Sequence, residues 1–401
     1  MTIGQQAEGG AGEAVSSKKV LAATCGIHAV HDGYTDTLYI LLPIWRDEFA
    51  LSYAAVGVLR ALYSAVMAGL QVPAANLASR VSPVLLLAAG TALAGLGYMF
   101  AGASTGLVVL AVSLMLGGLG SSIQHPIGAD LVAAAFPANM RPALGTYNFA
   151  GDIGKMAFPS GAALLLTLVS WRETTFIVGA IGMASAVALL LVLPYGYAMR
   201  EPATAGETPK SPPPALSAAK GFRTLLAIGI ADSATRMSFI TFLPFVLAAK
   251  GASLPTAGLA LSLTFAGGAF GKLAIGFLGA RLGVARTIIV TKALTATLIL
   301  AAFLVPLTAA LALLPLLGTM LNGSSSVVYG SVPDFCTSET RARAFGVFYT
   351  ATIGSGALAP ILFGSVTDIV GLAPMTIGIA CTALLTLTLA LFLPPTEDQA
   401  T

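Results

Sequence analysis

The sequence predicts an all-α polytopic membrane protein, with twelve transmembrane helices in two parallel six-helix halves and both termini cytoplasmic. The 401-residue chain is 56% hydrophobic and only 9% charged, with a mean hydropathy of +0.88. Soluble domains are about a quarter charged, so a soluble fold could not cover its surface with these residues. The chain also contains twelve apolar runs of roughly the 20 residues that a helix needs to cross the hydrocarbon. One long polar segment, 200–222, divides these runs six and six.

The apolar runs, taken in order, give the predicted domains. The first six form an N-terminal half at 20–199, and the last six form a C-terminal half at 223–394. Segment 200–222 is rich in proline and charge and is predicted to be a cytoplasmic linker. Segments 1–19 and 395–401 are predicted to be cytoplasmic tails, the first of them disordered. The spans are expected at 20–45, 53–78, 83–102, 106–136, 142–169, 173–198, 223–249, 256–280, 286–304, 308–334, 342–367 and 372–394.

The basic residues fix the predicted orientation. With the N-terminus in the cytoplasm, twelve of the 20 Lys and Arg residues fall on the cytoplasmic side and five within spans. Only Arg46, Arg172 and Lys250 fall outside. This excess follows the positive-inside rule in both halves. The predicted location is a bacterial-type cytoplasmic membrane.

The two halves repeat each other at one constant offset. Five Gly, Pro or Arg residues recur 201 positions later, at matching places in the two sets of spans. Two parallel six-helix halves joined by a long loop are typical of one large class of secondary transporters. The matching pairs are Pro43 and Pro244, Gly57 and Gly258, Arg80 and Arg281, Gly145 and Gly346, and Pro159 and Pro360.

The turns after spans 2 and 8 carry related basic motifs, which are candidate gating turns. The second, "GFLGARLGVAR", contains Arg281, Gly283 and Arg286, whereas the first, "NLASRVSP", keeps only Arg80. The second motif resembles the G-x-x-x-D/E-R-x-G turn of the major facilitator superfamily. The resemblance covers essentially the whole chain, and it implies transport by alternating access of the two halves.

Span 5 resembles the antiporter-type pattern of the same superfamily, G-x8-G-x3-G-P-x2-G-G. Gly145, Gly154 and Pro159 match it, while Phe158 and two alanines replace other glycines. Small residues at these positions let helices approach closely. The pattern favours export over import.

A closer resemblance lies in "HAVHDGYTDTLYILLP" and "GLGSSIQHPIGAD". These segments are similar to the fosmidomycin-resistance branch, whose members exchange drugs for protons. His28, Asp32 and His125 match residues of the branch, whereas His31 stands where an Asn is expected and Lys155 adds an unexpected cation. The resemblance implies a drug:proton antiporter but leaves the substrate open.

Span 1 carries the candidate proton-coupling residues. His28, Asp32 and Asp36 are four apart and share one helix face about 12 Å long, flanked by His31 and Tyr39. Asp32 lies near the expected midplane, where such transporters bind substrate and ion. A partly desolvated carboxylate beside His can load and release a proton. Two alternatives remain open, namely static ion pairs that fix helix packing and a divalent-metal site.

Spans 5, 7 and 8 add polar residues to the expected substrate cavity. Asp152 and Lys155 are three apart, and Asp232 and Arg236 four apart, so each pair can form an ion pair on its own helix. Lys272 could join Arg236 in a cationic wall, which indicates an anionic or zwitterionic substrate. It could equally neutralise Asp232.

Four further polar residues complete the expectations. His125, one residue before Pro126 in span 4, and Asn148 in span 5 are candidate cavity residues. Arg60 is expected to snorkel or to close an outer gate, and Lys292 to snorkel away from the site.

The sequence therefore predicts a proton-coupled exporter of a small organic solute, working as a monomer in the bilayer. Import by symport is the alternative, and divalent-metal transport is a lesser one. An H-E-x-x-H motif and a phosphate-cradling Gly-Lys-Ser/Thr loop are both absent from the sequence, so it predicts no enzyme, cofactor or resident metal. It also lacks the Lys/Arg-rich footprint of a nucleic-acid binder.

Overall fold

The part of the chain that the structure describes contains thirteen α-helices, which correspond to the twelve predicted spans. The computed structural model describes residues 16–78, 80–195, 197, 220–336 and 341–394, so most of the predicted tails and linker lies outside the described residues. The helices are α1 Ser17–Glu48, α2 Tyr53–Leu77, α3 Pro83–Gly102, α4 Leu107–Ser121, α5 Gln124–Ala135, α6 Met140–Leu165, α7 Trp171–Val192, α8 Lys220–Ala248, α9 Leu254–Leu282, α10 Val284–Leu304, α11 Leu307–Gly330, α12 Arg341–Val370 and α13 Leu372–Ala390.

Ten segments of the described chain are long and apolar enough to cross a membrane, with α4 and α5 counted as one segment. The helices α1 and α6 have 32 and 26 residues and are also long enough to cross, but they carry the polar residues of the predicted site. The all-α prediction is therefore confirmed, and twelve spans agree with the structure.

Three predicted boundaries are wrong. Residues 17–19 of the predicted tail belong to α1, and residues 220–222 of the predicted linker belong to α8. The predicted span 106–136 is interrupted, because α4 ends at Ser121 and α5 begins at Gln124. Pro126 has no N–H to donate to the preceding turn, so a continuous α-helix loses a hydrogen bond there. The interruption places His125 in the first turn of α5.

Serine residues begin several helices by satisfying free N–H groups. Ser52, Ser82 and Ser253 each accept a hydrogen bond from a backbone N–H in the first turn of the helix that follows. Ser170 forms a reciprocal capping box with Glu173. Because four N–H groups at each helix start lack an intrahelical partner, these caps fix where the helices begin.

The two halves contact each other mainly through two helix pairs, α2 with α12 and α6 with α9. A Cβ on Gly57 would meet the backbone of Pro360, and a Cβ on Gly258 would meet the carbonyl of Pro159. These four residues are two of the pairs at the 201-residue offset, so the two interfaces are equivalents in the internal repeat. At Gly57 the backbones approach too closely for a side chain, whereas at Gly258 a Cβ would first meet the Cβ of Ala163 and come within 3.1 Å of the Pro159 carbonyl.

The halves are closed at one end. There the carboxylate of Asp368 accepts hydrogen bonds from the N–H groups of Tyr53 (2.7 Å) and Ala54 (2.9 Å), and the ring of Tyr53 lies edge-on to Phe245. Nearer the middle, Ser160 and Ser262 hydrogen-bond between α6 and α9 at 2.6 Å. The closed end is the one that the basic residues predict to be outside.

Candidate functional site

A polar cavity lies between the halves, with a volume of about 200 Å³. Helices α1, α2, α5, α6, α8, α9 and α11 line it, so the predicted lining helices are joined by α2 and α11. Eight of the predicted site residues face this cavity, namely Asp32, Asp36, Tyr39, His125, Asp152, Lys155, Arg236 and Lys272.

Three side chains surround Asp32 at one wall of the cavity. Its carboxylate lies 3.4 Å from His28 Nε2, 3.7 Å from His125 Nε2 and 3.1 Å from Lys155 Nζ. Only 6% of the Asp32 side chain is exposed, whereas 43% of the His125 side chain is exposed. A buried carboxylate therefore has a path to water through His125.

His28 is held in one tautomer by the backbone of α6. Its Nδ1 lies 2.8 Å from the carbonyl oxygen of Tyr147, and a carbonyl can only accept, so Nδ1 carries a hydrogen. The Tyr147 ring also stacks on the imidazole, with the ring centroids 4.0 Å apart. Nε2 faces Asp32 and has no hydrogen-bond partner among the described residues. In a neutral His28 this nitrogen carries no hydrogen and is an acceptor. Two acceptors face each other unless one proton is shared by His28 and Asp32.

His31 is on the opposite side of α1, away from the cavity. Its Nε2 lies 2.9 Å from Thr91 Oγ1 and its Nδ1 lies 3.3 Å from Ser121 Oγ. The Thr91 hydroxyl donates to the carbonyl of Leu87, so it accepts from His31 Nε2–H. A neutral His31 is satisfied at both nitrogens, and the structure does not bring it to the proton site that the sequence predicted.

A second cluster on α6 joins the two halves. Lys272 Nζ of α9 lies 2.6 and 2.8 Å from the two carboxylate oxygens of Asp152. Lys155 Nζ is 3.7 Å from Asp152 and 3.1 Å from Asp32, so it lies closer to Asp32. The predicted pair of Asp152 and Lys155 forms, but Asp152 lies closer to Lys272 of the other half. Lys272 therefore does not neutralise Asp232, which pairs with Lys292.

Asp232 lies inside the C-terminal half, outside the cavity. Its carboxylate forms a close ion pair with Lys292 of α10, and Ser324 Oγ donates to it at 3.1 Å. The Lys292 side chain is fully buried, so the expectation that it snorkels is wrong. The predicted pair with Arg236 does not form either. Arg236 faces the cavity without an ion pair to any described residue.

Arg60 is buried in the cavity wall, so it does not snorkel, and closing an outer gate remains a prediction. Its Nη2 donates to Tyr39 Oη at 3.0 Å, and Nη1 donates to Ser64 Oγ. Asn148 is exposed on α6 and does not line the cavity. The sequence analysis missed Tyr147 and Asn322 as site residues, since neither has a motif or a charge that marks it.

His28, Asp32 and His125 have ligand atoms within 4.8 Å of one another, which would suit a metal ion. The sequence suggested His28, Asp32 and Asp36 as possible metal ligands, whereas the structure groups His125 with His28 and Asp32 instead of Asp36. The ammonium group of Lys155 already contacts the shared carboxylate of Asp32, however, and it would repel a divalent ion. These residues therefore fit a site that holds protons better than one that holds a metal.

The sequence comparison decides the family. The family model of the Major Facilitator Superfamily matches residues 25–231 and again 224–401. The chain belongs to this superfamily. A search of curated proteins finds no match.

Solved structures agree on the fold. A bacterial homolog of the human lysosomal transporter Spinster, in an inward-facing and unoccupied conformation, matches with a TM-score of 0.68. Its sequence identity is 20%, over 94% of each chain. A mutant of the nucleoside transporter NupG matches with a TM-score of 0.77 and 14% identity, over 94% of this chain and 97% of that one. The chain is thus an integral membrane protein with a transporter fold, which implies a small-molecule substrate.

The two turns that the sequence analysis predicted to act in gating are exposed in this conformation. Arg80, Arg281 and Arg286 are all at the surface, and none makes an ion pair with another described residue. Gly283 joins α9 directly to α10 with a backbone φ of +81°, a conformation that favours glycine.

The antiporter-type motif of span 5 lies along α6. A Cβ on Gly154 would collide with the carbonyl of Ala29 in α1, so this glycine sets how closely α1 and α6 pack. Pro159 is inside α6 at the contact with α9. Gly145 is exposed and has no atom near its Cβ position, so close packing does not explain it.

Proposed function

We propose that the protein is a proton-coupled secondary transporter that exports a small organic solute from the cytoplasm. The observation that carries this proposal is the buried contact between His28 and Asp32, in which one proton must be shared. Alternating access of the two halves would expose this pair to each side of a bacterial-type cytoplasmic membrane in turn. Import by symport remains the alternative.

The proton site is defined by its charged surroundings. Lys155 Nζ and His28 Nε2 both lie within 4 Å of the Asp32 carboxylate, from α6 and α1. Charged or titratable groups reach this pair from α1, α5, α6 and α9. Besides Asp32 and His28 themselves they are Asp36, His125, Tyr147, Asp152, Lys155 and Lys272.

Two features support export. The span 5 motif and the likeness of "HAVHDGYTDTLYILLP" to the fosmidomycin-resistance branch both favour exchange of a drug for protons. The cavity is closed at the predicted outer end, where Asp368 caps α2, but importers and exporters both adopt such a conformation. A substrate and a proton that compete for this cavity would give antiport.

Proton movement in proteoliposomes tests the proposal. Purified protein is reconstituted with a pH-sensitive dye inside the vesicles, a pH gradient is imposed, and candidate solutes are added. The panel contains fosmidomycin, other phosphonates, hydrophobic drugs and divalent metals. We expect at least one organic solute to trigger proton movement with wild type and not with Asp32→Asn. Asp47→Asn is the control, since Asp47 is exposed and pairs only with its neighbour Arg46.

A second variant separates the proton site from the fold. His28→Asn can still donate to the Tyr147 carbonyl but lacks Nε2, so we expect it to fold and to lose coupling. Labelled solute that crosses without proton movement in wild type would refute proton coupling. Coupling that persists in Asp32→Asn would exclude Asp32 as its site. A response to divalent metals alone would favour metal transport.

A further inference from the structure

We propose that Arg60 and Arg236 form a binding site for the acid group of a small organic anion. This inference rests on the proposed transport function and names the class of its substrate. The two arginines come from opposite halves, Arg60 from α2 and Arg236 from α8, and both line the cavity. An anion held between them would contact both halves at once.

Neither arginine forms an ion pair with a carboxylate of the described residues, and the cavity has one more cationic side chain than carboxylates. Four cationic side chains and three carboxylates line it. Lys155 is balanced by Asp32, and Lys272 by Asp152. The remaining carboxylate, Asp36, makes no ion pair with any described residue.

The guanidinium groups also have free N–H donors. Arg60 is only 4% exposed, and its Nε has no hydrogen-bond partner within the described chain. The Nε of Arg236 is likewise buried without a partner. Buried donors are nearly always paired, and an unpaired one costs free energy. A carboxylate or phosphonate can accept from Nε and Nη of one guanidinium together, which is the strongest pairing an arginine makes.

Tyr39 contacts Arg60 and also helix α8, which carries Arg236. Arg60 Nη2 donates to its hydroxyl at 3.0 Å, and the hydroxyl in turn lies 3.7 Å from Met237 Sδ, next to Arg236 in α8. The guanidinium of Arg60 lies 5.0 Å from the centre of the Tyr39 ring. This contact directs Arg60 into the cavity instead of along the helix surface.

The cavity wall beyond the arginines is apolar. Met67, Ile240 and Phe265 line it, together with the neutral polar side chains of Thr35 and Asn322. We therefore expect a ligand with one acid group and a compact apolar body. This position is separate from Asp32, so the acid group and the proton would be held by different residues, and antiport requires that loading of one disfavours loading of the other.

Equilibrium binding to the purified full chain tests the assignment without any ion gradient. The probes are benzoate, phenylphosphonate, benzylamine and benzyl alcohol. All four carry a phenyl ring, and they differ in the polar head group. Affinity is measured by calorimetry in detergent at millimolar probe concentrations. We expect at least one of the two acids to bind and the amine and alcohol not to bind. A comparison of the affinities of the two acids then shows whether the site prefers a carboxylate or a phosphonate.

Variants locate the acid group. Arg236→Gln is expected to weaken binding about 10- to 100-fold, since charge-assisted hydrogen bonds are worth about 1.5 to 3 kcal/mol. Arg236→Lys should recover part of the loss because it keeps the charge without the bidentate geometry. Arg223→Gln is the control, because Arg223 is exposed at the start of α8. Thermal unfolding without probe checks that each variant is folded.

The two proposals fail in different ways. Acid binding that persists in Arg236→Gln and Arg60→Gln would overturn the anion site, as would stronger binding of the amine or no binding of either acid. Acid binding that persists in Asp32→Asn, while proton movement is lost, is the expected separation. Acid binding by a wild type that shows no proton movement would overturn proton coupling and leave the anion site in place.

Discussion

Asp368 holds the closed end of the transporter, and its removal should open that end. The carboxylate at the end of α12 accepts from the N–H groups of Tyr53 and Ala54, the first two residues of α2 in the other half. These N–H groups have no partner inside their helix, and the helix N-terminus attracts negative charge. The contact exists only when the halves meet at this end.

The size of the effect follows from the two hydrogen bonds. A hydrogen bond to a charged group contributes about 1.5 to 3 kcal/mol when buried. Asp368 is exposed, so water competes for both groups and screens the charge. We expect Asp368→Asn to lose about 1 to 2 kcal/mol of the contact, which changes the ratio of closed to open outer ends about 5- to 30-fold.

Distances between spin labels measure this ratio. One label is attached at Leu168, in the turn between α6 and α7, and the other at Ala249, after α8, in a variant without the three native cysteines. Both positions are exposed at the closed end and lie in different halves. We expect Asp368→Asn to shift the distance distribution from short to long. Asp47→Asn removes an acid at the same end that contacts only its own half, so it should leave the distribution unchanged.

The reasoning would be refuted by a distribution that is the same in Asp368→Asn and wild type. An equal shift in Asp47→Asn would also refute it, because general loss of negative charge at this end would then be the cause.

Two further substitutions test packing inside one half or at one helix pair. Lys292→Met leaves Asp232 buried and unpaired, so it should destabilise the fold by about 3 to 5 kcal/mol, whereas the double variant with Asp232→Asn should recover most of the loss in thermal unfolding. A single variant as stable as wild type would contradict the ion pair. Gly154→Ala pushes a methyl group into the carbonyl of Ala29 and should cost about 1 to 3 kcal/mol, whereas Gly161→Ala, with no atom near the new Cβ, should be neutral or stabilising. Equal melting temperatures of these two alanine variants would contradict close packing of α1 and α6.

The sequence predicted the helices well because the bilayer imposes a strong rule on each segment. Every span must satisfy its own backbone and present apolar residues over about 20 positions, so local composition suffices. The 201-residue offset also identified Gly57, Gly258, Pro159 and Pro360 as related positions. It could not say that Gly57 meets Pro360 and Gly258 meets Pro159, because that depends on how the halves pack.

The sequence identified most of the residues that line the site, but it did not identify which of them form the closest ion pairs. Helical spacing indicates only residues on the same helix, and it therefore suggested Asp152 with Lys155 and Asp232 with Arg236. The structure pairs Asp152 most closely with Lys272, and Asp232 with Lys292, both from other helices. Charges on neighbouring helices can approach from several directions, and sequence spacing contains no information about that choice.

These partners decide which charges can take part in transport. Asp232 and Lys292 lie in the same half, so a rigid movement of the halves leaves their distance unchanged. Asp152 and Lys272 lie in different halves, and that ion pair must stretch or break when the halves separate along α6 and α9. Lys155 lies within 4 Å of both Asp32 and Asp152. A proton on Asp32 would release Lys155 toward Asp152, where it competes with Lys272 for the same carboxylate. Protonation in one half can thereby weaken a contact between the halves, which is the link that proton-coupled alternating access requires.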